Sequence, residues 1–288
     1  MVKLKLAGTV IKFDMPDIYI GPYMPLFACG NGEKEDVTIN FALGQIPPVD
    51  MENSTGFMVH KVFRVNGSNC YMLSMNDYVT HFIYNNEYTE FTFNVNEKLF
   101  KNAYDLDNPN NINGVGAILR RMCIMITAAR GGICLHASTI KYGNDAISFS
   151  ASSGVGKTTQ TNLWMETFPG VEVINGDNGY LFEENGLVYF HSVPWCGTSN
   201  QCMNVKAPVK AVVFLEQANH NYIHKLDTPE AFMRLSARCF MPVWEKNLMV
   251  KAIDTSERII NMVNCYLLRC LPDTDAVLTA KSGIYGLK

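Results

Sequence analysis

The sequence lacks two features that would direct the chain into or across a membrane. No apolar stretch is long enough to span a bilayer, and the first residues lack the sustained apolar segment of a secretion signal. We therefore expect a cytoplasmic protein with no membrane partner. Hydrophobic residues still make up 48% of the 288 residues, which is sufficient for a packed core in one large or two medium domains.

An excess of either charge is also missing. The 24 basic and 27 acidic residues almost balance, giving a formal net charge of −3, and neither sign forms a long run. Proteins that bind nucleic acids or anionic membranes rely on clustered positive charge. The balance of charge therefore argues against a nucleic-acid partner.

Paired cysteines are absent as well. The nine cysteines are scattered along the chain without a Cys-x-x-Cys motif, and most of them lie among apolar neighbours. Reduced thiols in such surroundings pack as small hydrophobic groups. We expect structural cysteines rather than metal ligands.

The hydrophobic pattern divides the chain into two parts. Short β-type runs separated by Gly, Asn, Pro and Asp predict a β-rich, antiparallel N-terminal domain over residues 1–107, to which we assign no role. A polar, turn-prone segment follows, and from Gly114 the apolar residues recur at helical spacing until Gly131-Gly132. We therefore place the second domain at residues 108–288.

The second part mixes strands, hairpins and helices. A strand is predicted over Ile133–Lys141, another leads into a glycine-containing loop, and a hairpin follows around a Glu184-Asn185-Gly186 turn. Strands outnumber helices, which a simple alternating βαβ sheet would not give. The pattern predicts an α/β domain with a mixed sheet.

The most informative motif is the run from residue 146 to residue 159, AISFSASSGVGKTT. An apolar strand pattern breaks into Ala151-Ser-Ser-Gly154-Val-Gly156-Lys157-Thr158, and helix-forming residues continue until Pro169-Gly170. This sequence matches the motif of a phosphate-binding loop, with Ala151 in place of the usual first glycine. The alternative is an ordinary glycine-rich turn between a strand and a helix.

Each residue type in the loop has a physical role in binding a nucleotide. Glycines let backbone N–H groups curl around phosphate oxygens, and the N-terminus of the following helix adds a favourable dipole. Lys157 is expected to reach the outer phosphates of ATP, and the Thr158 hydroxyl to hold Mg²⁺. The predicted nucleotide-binding residues are Ser153, Gly154, Val155, Gly156, Lys157, Thr158 and Thr159.

Two further residues are candidates for catalysis. Asp177 follows the buried strand Val171–Ile174, at a position from which a carboxylate can hold the metal ion or accept a proton. The alternative for Asp177 is turn chemistry, because Asn-Gly-Asp-Asn is a typical turn composition. His136 lies in the strand before the one that feeds the loop, where an imidazole can accept a proton or face the terminal phosphate. Taken alone, a histidine in such a strand is more often a core residue, and only the neighbouring motifs favour a functional role for His136.

These motifs, in their order and spacing, resemble the kinase domain of HPr kinase/phosphorylase and its relatives. The resemblance covers residues 114–288 and is carried by Leu135-His136-Ala137-Ser138, Ser153-Gly-Val-Gly-Lys-Thr-Thr159 and Gly176-Asp177-Asn178. It implies the P-loop fold that this family shares with phosphoenolpyruvate carboxykinases, with a mixed, strongly twisted sheet. It also implies that His136 and Asp177 lie beside the γ-phosphate, with Asp177 taking the proton from a serine hydroxyl. Relatives commonly form rings or dimers, so a homo-oligomer is possible.

The chain departs from the family at two places. Asn178 stands where the family commonly has a second acidic residue. Trp195-Cys-Gly-Thr-Ser-Asn200 occupies the region where true HPr kinases carry an Arg-Gly stretch and a following glutamate. HPr is therefore not the expected acceptor, and Trp195 and Cys196 are candidates for lining an acceptor site.

The expected function is an ATP- and Mg²⁺-dependent kinase that transfers the γ-phosphoryl group to a hydroxyl of a peptide, protein or small molecule. Lys157, Asp177 and His136 are the predicted catalytic residues, and Thr158 and Asp177 the predicted metal ligands. One alternative is a non-catalytic nucleotide-binding partner or sensor, in which Asn178 has replaced a needed carboxylate. A further alternative is a carboxykinase-like enzyme that acts on a small acid.

Overall fold

The computed structural model describes residues 1–15, 21–30, 32–43, 55–57, 60–65, 68–75, 78–95 and 112–286. The chain divides into two compact units, the first formed by Met1–Arg130 with Pro242–Lys251 and the second by Gly131–Met241 with Ala252–Lys288. The domain boundary that we predict between residues 107 and 108 lies outside the described residues.

Within its described residues, the first unit contains one sheet of eight strands and one long helix. The strands are β1 (Val2–Leu6), β2 (Thr9–Asp14), β3 (Val37–Leu43), β4 (Thr55–Phe57), β5 (His60–Val65), β6 (Ser68–Met75), β7 (Tyr78–Tyr84) and β8 (Glu90–Val95), in the order β1-β2-β3-β8-β7-β6-β5-β4. A 3-10 turn at Met24–Phe27 lies between β2 and β3, and helix α1 (Ile112–Ala129) follows β8. The helix confirms the helical pattern that begins near Gly114.

The first part is β-rich as predicted, but the prediction that its strands are antiparallel is wrong at β3. Strand β3 runs parallel to both of its neighbours, β2 and β8, whereas the hairpins on either side of it are antiparallel. Parallel neighbours need a long crossover connection, and the chain between Asp14 and Val37 supplies one. Hydrophobic alternation gives the same signal in both kinds of pairing, so the sequence pattern does not reveal the strand direction.

Aromatic side chains form much of the first unit's core. Tyr71 and Phe82 are fully buried and stack with their ring centroids 4.6 Å apart. The Tyr84 hydroxyl is also buried and donates to a carboxylate oxygen of Glu245 at 2.9 Å. Because Glu245 belongs to the segment Pro242–Lys251, this bond ties that segment to the sheet of its own unit.

The second unit, which contains the predicted site, is a mixed sheet with flanking helices. Its strands are β9 (Gly132–His136), β10 (Ser138–Tyr142), β11 (Asp145–Ser150), β12 (Glu172–Asn175), β13 (Asn178–Glu184), β14 (Leu187–Ser192), β15 (Lys206–Gln217), β16 (Tyr222–Lys225), β17 (Cys239–Phe240) and β18 (Asn264–Cys270). The helices are α2 (Lys157–Thr167), α3 (Thr228–Ser236), α4 (Lys246–Met262), whose first residues belong to the first unit, and α5 (Thr274–Tyr285). A 3-10 turn covers Gly197–Ser199.

The strand order of this sheet is β12-β10-β11-β15-β14-β13-β9-β17, with β18 beside β15 and β16 beside β18. Strands β11, β15 and β18 are parallel to one another, and the remaining pairs are antiparallel. A β-rich first part and a mixed α/β second part are therefore present in the predicted order. In the described ranges, no helix is long and apolar enough to cross a bilayer.

The strand predicted over Ile133–Lys141 is in fact two strands. The chain breaks at Ala137, whose N–H donates to the carbonyl of Asp177 at 3.0 Å. Before the break β9 pairs with β13, and after it β10 pairs with β11 and β12. His136 consequently ends its strand next to the turn that carries Asp177.

Packing of α2 against the sheet holds the start of that helix at the end of β11. Trp164 is fully buried, and its ring lies 6.0 Å from that of Phe149 and 5.3 Å from that of Phe168, measured between centroids. Burying a side chain such as Phe149 stabilises the fold by about 1.5–3 kcal/mol. The loop between β11 and α2 is thus anchored at both ends.

Candidate functional site

The connection between β11 and α2, which we call the glycine loop (residues 151–156), has a backbone that requires its glycines. Gly154 and Gly156 have φ values of 81° and 125°, a region that other L-residues rarely adopt. A Cβ added at either glycine would meet nothing within 4 Å, so the space beside this backbone is open. Ala151 is buried and is not among the described residues with positive φ, so the missing first glycine introduces no strain.

Helix α2 begins at Lys157 with unsatisfied backbone donors. No side chain caps the helix at Gly156, and the first intrahelical bond runs from the N–H of Gln160 to the carbonyl of Gly156 at 2.9 Å. The N–H groups of the first turn therefore have no partner within the helix. Together with the helix dipole, such groups form a ready site for an anion.

Lys157 lies where it can reach an anion bound at that helix start. Its ammonium group donates to the carbonyl oxygen of Ala151 at 3.1 Å. Burial lowers the pKa of Lys157 from its ordinary value, the nearby Asp177 carboxylate opposes the shift, and Arg238 adds to it. A bound polyanion would relieve the cost of keeping this lysine charged.

A buried asparagine holds the turn that presents Asp177. The side-chain oxygen of Asn175 accepts from the N–H groups of Asp177 at 3.0 Å and of Asn178 at 2.9 Å. Its amide nitrogen donates to the Ser192 hydroxyl at 3.2 Å and to the Val193 carbonyl at 2.8 Å. Asn175 is completely buried, and its hydrogen bonds hold the turn between β12 and β13 in one conformation.

His136 and Asp177 meet at the end of the sheet. The Nε2 atom of His136 lies 3.1 Å from Oδ1 of Asp177, and the two side chains are 25% and 24% exposed. Partial exposure leaves both groups accessible to a substrate. The backbone of His136 is held by its N–H bond to the Arg238 carbonyl at 2.9 Å and by the Ser150 hydroxyl, which donates to its carbonyl at 2.7 Å.

Asn178 is hydrogen-bonded to the Asp177 carboxylate. The amide of Asn178 donates to Oδ2 of Asp177 and, at 3.3 Å, to the carbonyl of Trp195. A hydrogen bond to an ionised carboxylate stabilises it. Asn178 is 1% exposed, and its Oδ1 atom has no hydrogen-bond partner within the described part of the chain. The Asn178 side chain thus acts as a hydrogen-bond donor to the carboxylate beside it.

These groups share one cavity of about 290 Å³. Its lining residues are His136, Ser153, Gly154, Gly156, Lys157, Thr158, Thr159, Gly176, Asp177, Cys196, Thr198 and Ser199. Of the predicted nucleotide-binding and catalytic residues, only Val155 is not in the lining, because its side chain packs against the core and its carbonyl accepts from Gln217 at 3.4 Å. Of the two candidates for an acceptor site, Cys196 lines the cavity and Trp195 does not. Within the described residues, no cluster of three or more His, Cys, Asp or Glu side chains could hold a metal ion by itself.

Four residues at the site were not predicted from the sequence as site residues. Gly176, Thr198 and Ser199 line the cavity, and Arg238 is close enough to Lys157 to influence its pKa. The Cys-Gly-Thr-Ser segment carried a weak signal, since the sequence departs there from the HPr kinases that it resembles. Arg238 carried none, because nothing in its local pattern separates it from a surface arginine.

The contact between Gly176 and Ser199 leads to a prediction about stability. A Cβ at residue 176 would lie 1.9 Å from the Ser199 hydroxyl oxygen, which itself donates to the Cys196 carbonyl at 2.6 Å. Gly176→Ala is therefore expected to destabilise the protein by about 1–3 kcal/mol, because the serine and its turn must move. Urea unfolding of the full chain measures this loss.

Two further variants test the reason for that loss. Gly30→Ala is a matched control, because the added methyl group would meet nothing within 4 Å. The double variant Gly176→Ala with Ser199→Gly should recover part of the lost stability. A single variant Gly176→Ala as stable as the unaltered chain would show that the contact is unimportant.

No protein-family model matches the chain, and no curated protein matches it. Among solved structures, the chain is similar to the HPr(Ser) kinase/phosphatase from Coxiella burnetii. The two share 10% sequence identity, and the match covers 53% of this chain and 94% of that one with a TM-score of 0.33. The likeness is distant and adds no assignment to any residue of the site.

Proposed function

We propose that this protein is an ATP- and Mg²⁺-dependent kinase with a P-loop domain of the HPr kinase and phosphoenolpyruvate carboxykinase type. It would transfer the γ-phosphoryl group to a hydroxyl of a peptide, protein or small molecule. One observation carries the proposal: the glycine loop, the start of α2 and the His136–Asp177 pair line the same cavity. Phosphoryl transfer depends mainly on positioning and on stabilising charge, and these groups are suited to both.

The phosphate groups of ATP fit the glycine loop on physical grounds. The open space beside Gly154 and Gly156 admits phosphate oxygens close to the backbone, and the first turn of α2 offers unpartnered N–H groups. Lys157 adds a positive charge at the same place. In this proposal Ser153, Thr158 and Thr159 complete the nucleotide-binding set.

The oxygen ligands at the site suit Mg²⁺ rather than a softer metal. A site for Mg²⁺ on a nucleotide needs only one or two protein ligands, because phosphate oxygens and water supply the others. The Thr158 hydroxyl and the Asp177 carboxylate both line the cavity and would hold the ion. When bound, Mg²⁺ would neutralise charge on the transferred phosphoryl group.

The His136–Asp177 pair would remove the proton from the hydroxyl group of the acceptor. The Asp177 carboxylate accepts the proton as the acceptor oxygen attacks, and His136 at 3.1 Å orients that carboxylate through a hydrogen bond. Asn178 holds the other carboxylate oxygen. The carboxylate is therefore kept in a fixed direction by two neighbours.

Nucleotide titration of the full chain tests the proposal. Adding ATP with Mg²⁺ is expected to raise the thermal unfolding temperature, since ligand at 100 times its Kd stabilises by about 2.7 kcal/mol. ADP is expected to accumulate when a mixture of serine- and threonine-containing peptides is offered. Absence of any stabilisation by ATP or GTP with Mg²⁺ would reject the proposed function.

A second candidate function is a non-catalytic nucleotide-binding partner or sensor. The observation that favours it is Asn178, an amide in place of a carboxylate, buried against Asp177. In this case the same titration would show stabilisation by ATP with Mg²⁺ but no ADP with any acceptor. The two candidates therefore differ in a single measurement.

The pKa of Lys157 predicts how nucleotide affinity depends on pH. Burial lowers this pKa, the Asp177 carboxylate opposes the shift and Arg238 adds to it, so the lysine loses its charge at a lower pH than an exposed lysine does. Only the protonated form attracts phosphate. The affinity for ATP should therefore be highest below this lowered pKa and should fall as the pH rises through it.

Calorimetric titrations with ATP at a series of pH values, up to and above the lowered pKa of Lys157, measure the effect. Lys157→Arg is the matched control, because a guanidinium stays charged throughout and its affinity for ATP should not change over the same interval. An affinity of the unaltered chain that does not depend on pH would contradict the assignment of Lys157 to the phosphates.

A further inference from the structure

The cavity contains a hydroxyl group that the kinase reaction does not otherwise use. The 3-10 turn Gly197–Ser199, which we call the hydroxyl turn, lies against the side chain of Asp177. Gly197 has a φ of 59°, and a Cβ placed on it would be 2.9 Å from Cγ of Asp177. The backbone of the hydroxyl turn is therefore in contact with the carboxylate that we propose as proton acceptor.

The two hydroxyls of this turn differ in their bonding. Ser199 donates to the Cys196 carbonyl at 2.6 Å and accepts from the N–H of Gln201 at 3.2 Å, so its oxygen is committed to the turn. Thr198 is exposed and lines the cavity. Within the described residues, its side chain makes no hydrogen bond. Thr198 is thus the hydroxyl of this turn that is available to react.

The size of the cavity favours an acceptor that is part of its own wall. A volume of about 290 Å³ lies at the lower end of small-molecule sites. A space of this size can hold the phosphate groups of a nucleotide together with one side chain. It is less suited to holding a nucleotide together with a second, free substrate. Holding a reacting group in place also removes the entropy cost of a bimolecular encounter.

We propose that Thr198 is a site of self-phosphorylation, an inference that rests on the proposed kinase function. The Thr198 hydroxyl oxygen forms a bond to the γ-phosphorus of ATP, and the bond from that phosphorus to the β-phosphate oxygen breaks. ADP leaves with the electron pair, and the hydroxyl proton passes to the Asp177 carboxylate.

Phosphorylation at this position would also limit itself. A phosphothreonine carries about 1.5–2 negative charges at neutral pH. Placed in the cavity beside Asp177, it would repel the phosphates of a second nucleotide. Each chain is therefore expected to accept one phosphate and then to bind ATP more weakly.

The experiment is to incubate the full chain with ATP and Mg²⁺ and to follow its intact mass and its phosphorylated peptides by mass spectrometry. One phosphate per chain, located on Thr198, is the expected result. Thr198→Val should remove the incorporation while ATP still raises the unfolding temperature, and Thr198→Ser should keep it. Thr228→Val is the matched control, an exposed threonine outside the cavity, and should be labelled like the unaltered chain.

The outcomes separate this inference from the function on which it rests. Stabilisation by ATP with ADP formation but no phosphate on Thr198 would overturn the inference alone. Undiminished labelling of Thr198→Val would overturn it as well. A labelling rate per chain that rises with protein concentration would show transfer between molecules and overturn the proposal of an acceptor in the same chain. Absence of any nucleotide binding would overturn both.

Discussion

Replacing Asp177 with asparagine is expected to lower the rate of phosphoryl transfer about 10²–10⁴-fold, the usual contribution of a positioned proton acceptor. Asparagine has nearly the same shape as aspartate, so the turn held by Asn175 should keep its geometry. It cannot accept the proton of the acceptor hydroxyl. The loss should therefore appear in ADP formation and in self-phosphorylation, and not in the stability of the fold.

The chain offers a close control for this variant. Glu184 and His191 form another carboxylate–imidazole pair in the same unit, with 2.6 Å between Nε2 and Oε1, and neither residue lines the cavity. Glu184→Gln alters that pair without altering the site and should leave turnover unchanged. Equal rates for Asp177→Asn and the unaltered chain would remove Asp177 from the mechanism.

Metal dependence separates the two roles proposed for Asp177. If the carboxylate mainly holds Mg²⁺, the variant Asp177→Asn should bind Mg²⁺ more weakly. A higher Mg²⁺ concentration should then restore the occupancy of the metal site, and with it much of the activity. If it mainly accepts the proton, the rate should stay low at every Mg²⁺ concentration. Steady-state rates measured over a range of Mg²⁺ concentrations distinguish the two.

Lys157→Ala is expected to lower turnover of ATP about 10²–10³-fold, comparable to the loss of one charge-stabilising group in other enzymes. The lysine lies beside the glycine loop, and its partial burial strengthens its interaction with a bound phosphate. Its hydrogen bond to the Ala151 carbonyl contributes only about 0.5–1.5 kcal/mol to stability. The variant should therefore remain folded, and thermal unfolding checks this directly.

Lys141→Ala is the matched control, a partly buried lysine on β10 that does not line the cavity. It should turn over ATP at the rate of the unaltered chain. Undiminished turnover by Lys157→Ala would rule out the glycine loop as the place where the phosphates bind.

The sequence was most informative where structure depends on near neighbours along the chain. The strand β11, the glycine loop and the helix α2 follow one another directly, and the positive φ values of Gly154 and Gly156 are local requirements. The helical spacing after Gly114 and the hairpin around Asn185-Gly186 are signals of the same kind. Such features can be read from a window of a few residues.

Other features depended on contacts that leave no local pattern. The direction of β3 and the break at Ala137 are decided by which strands become neighbours. A run of alternating apolar residues looks the same whether it forms one strand or two. For this reason the predictions of an antiparallel first domain and of a single strand over Ile133–Lys141 were wrong.

The sequence alone predicted a β-rich part followed by a mixed α/β part, and the glycine loop with its lysine. It also identified His136 and Asp177 as candidates. Only the tertiary structure decided that these residues border one cavity, that Asn178 donates to Asp177, and that the hydroxyl turn with Thr198 lies against that carboxylate. The reason is physical. Backbone conformation follows from adjacent residues, whereas the close approach of Gly176 to Ser199 and of Gly197 to Asp177 follows from how distant strand ends pack together.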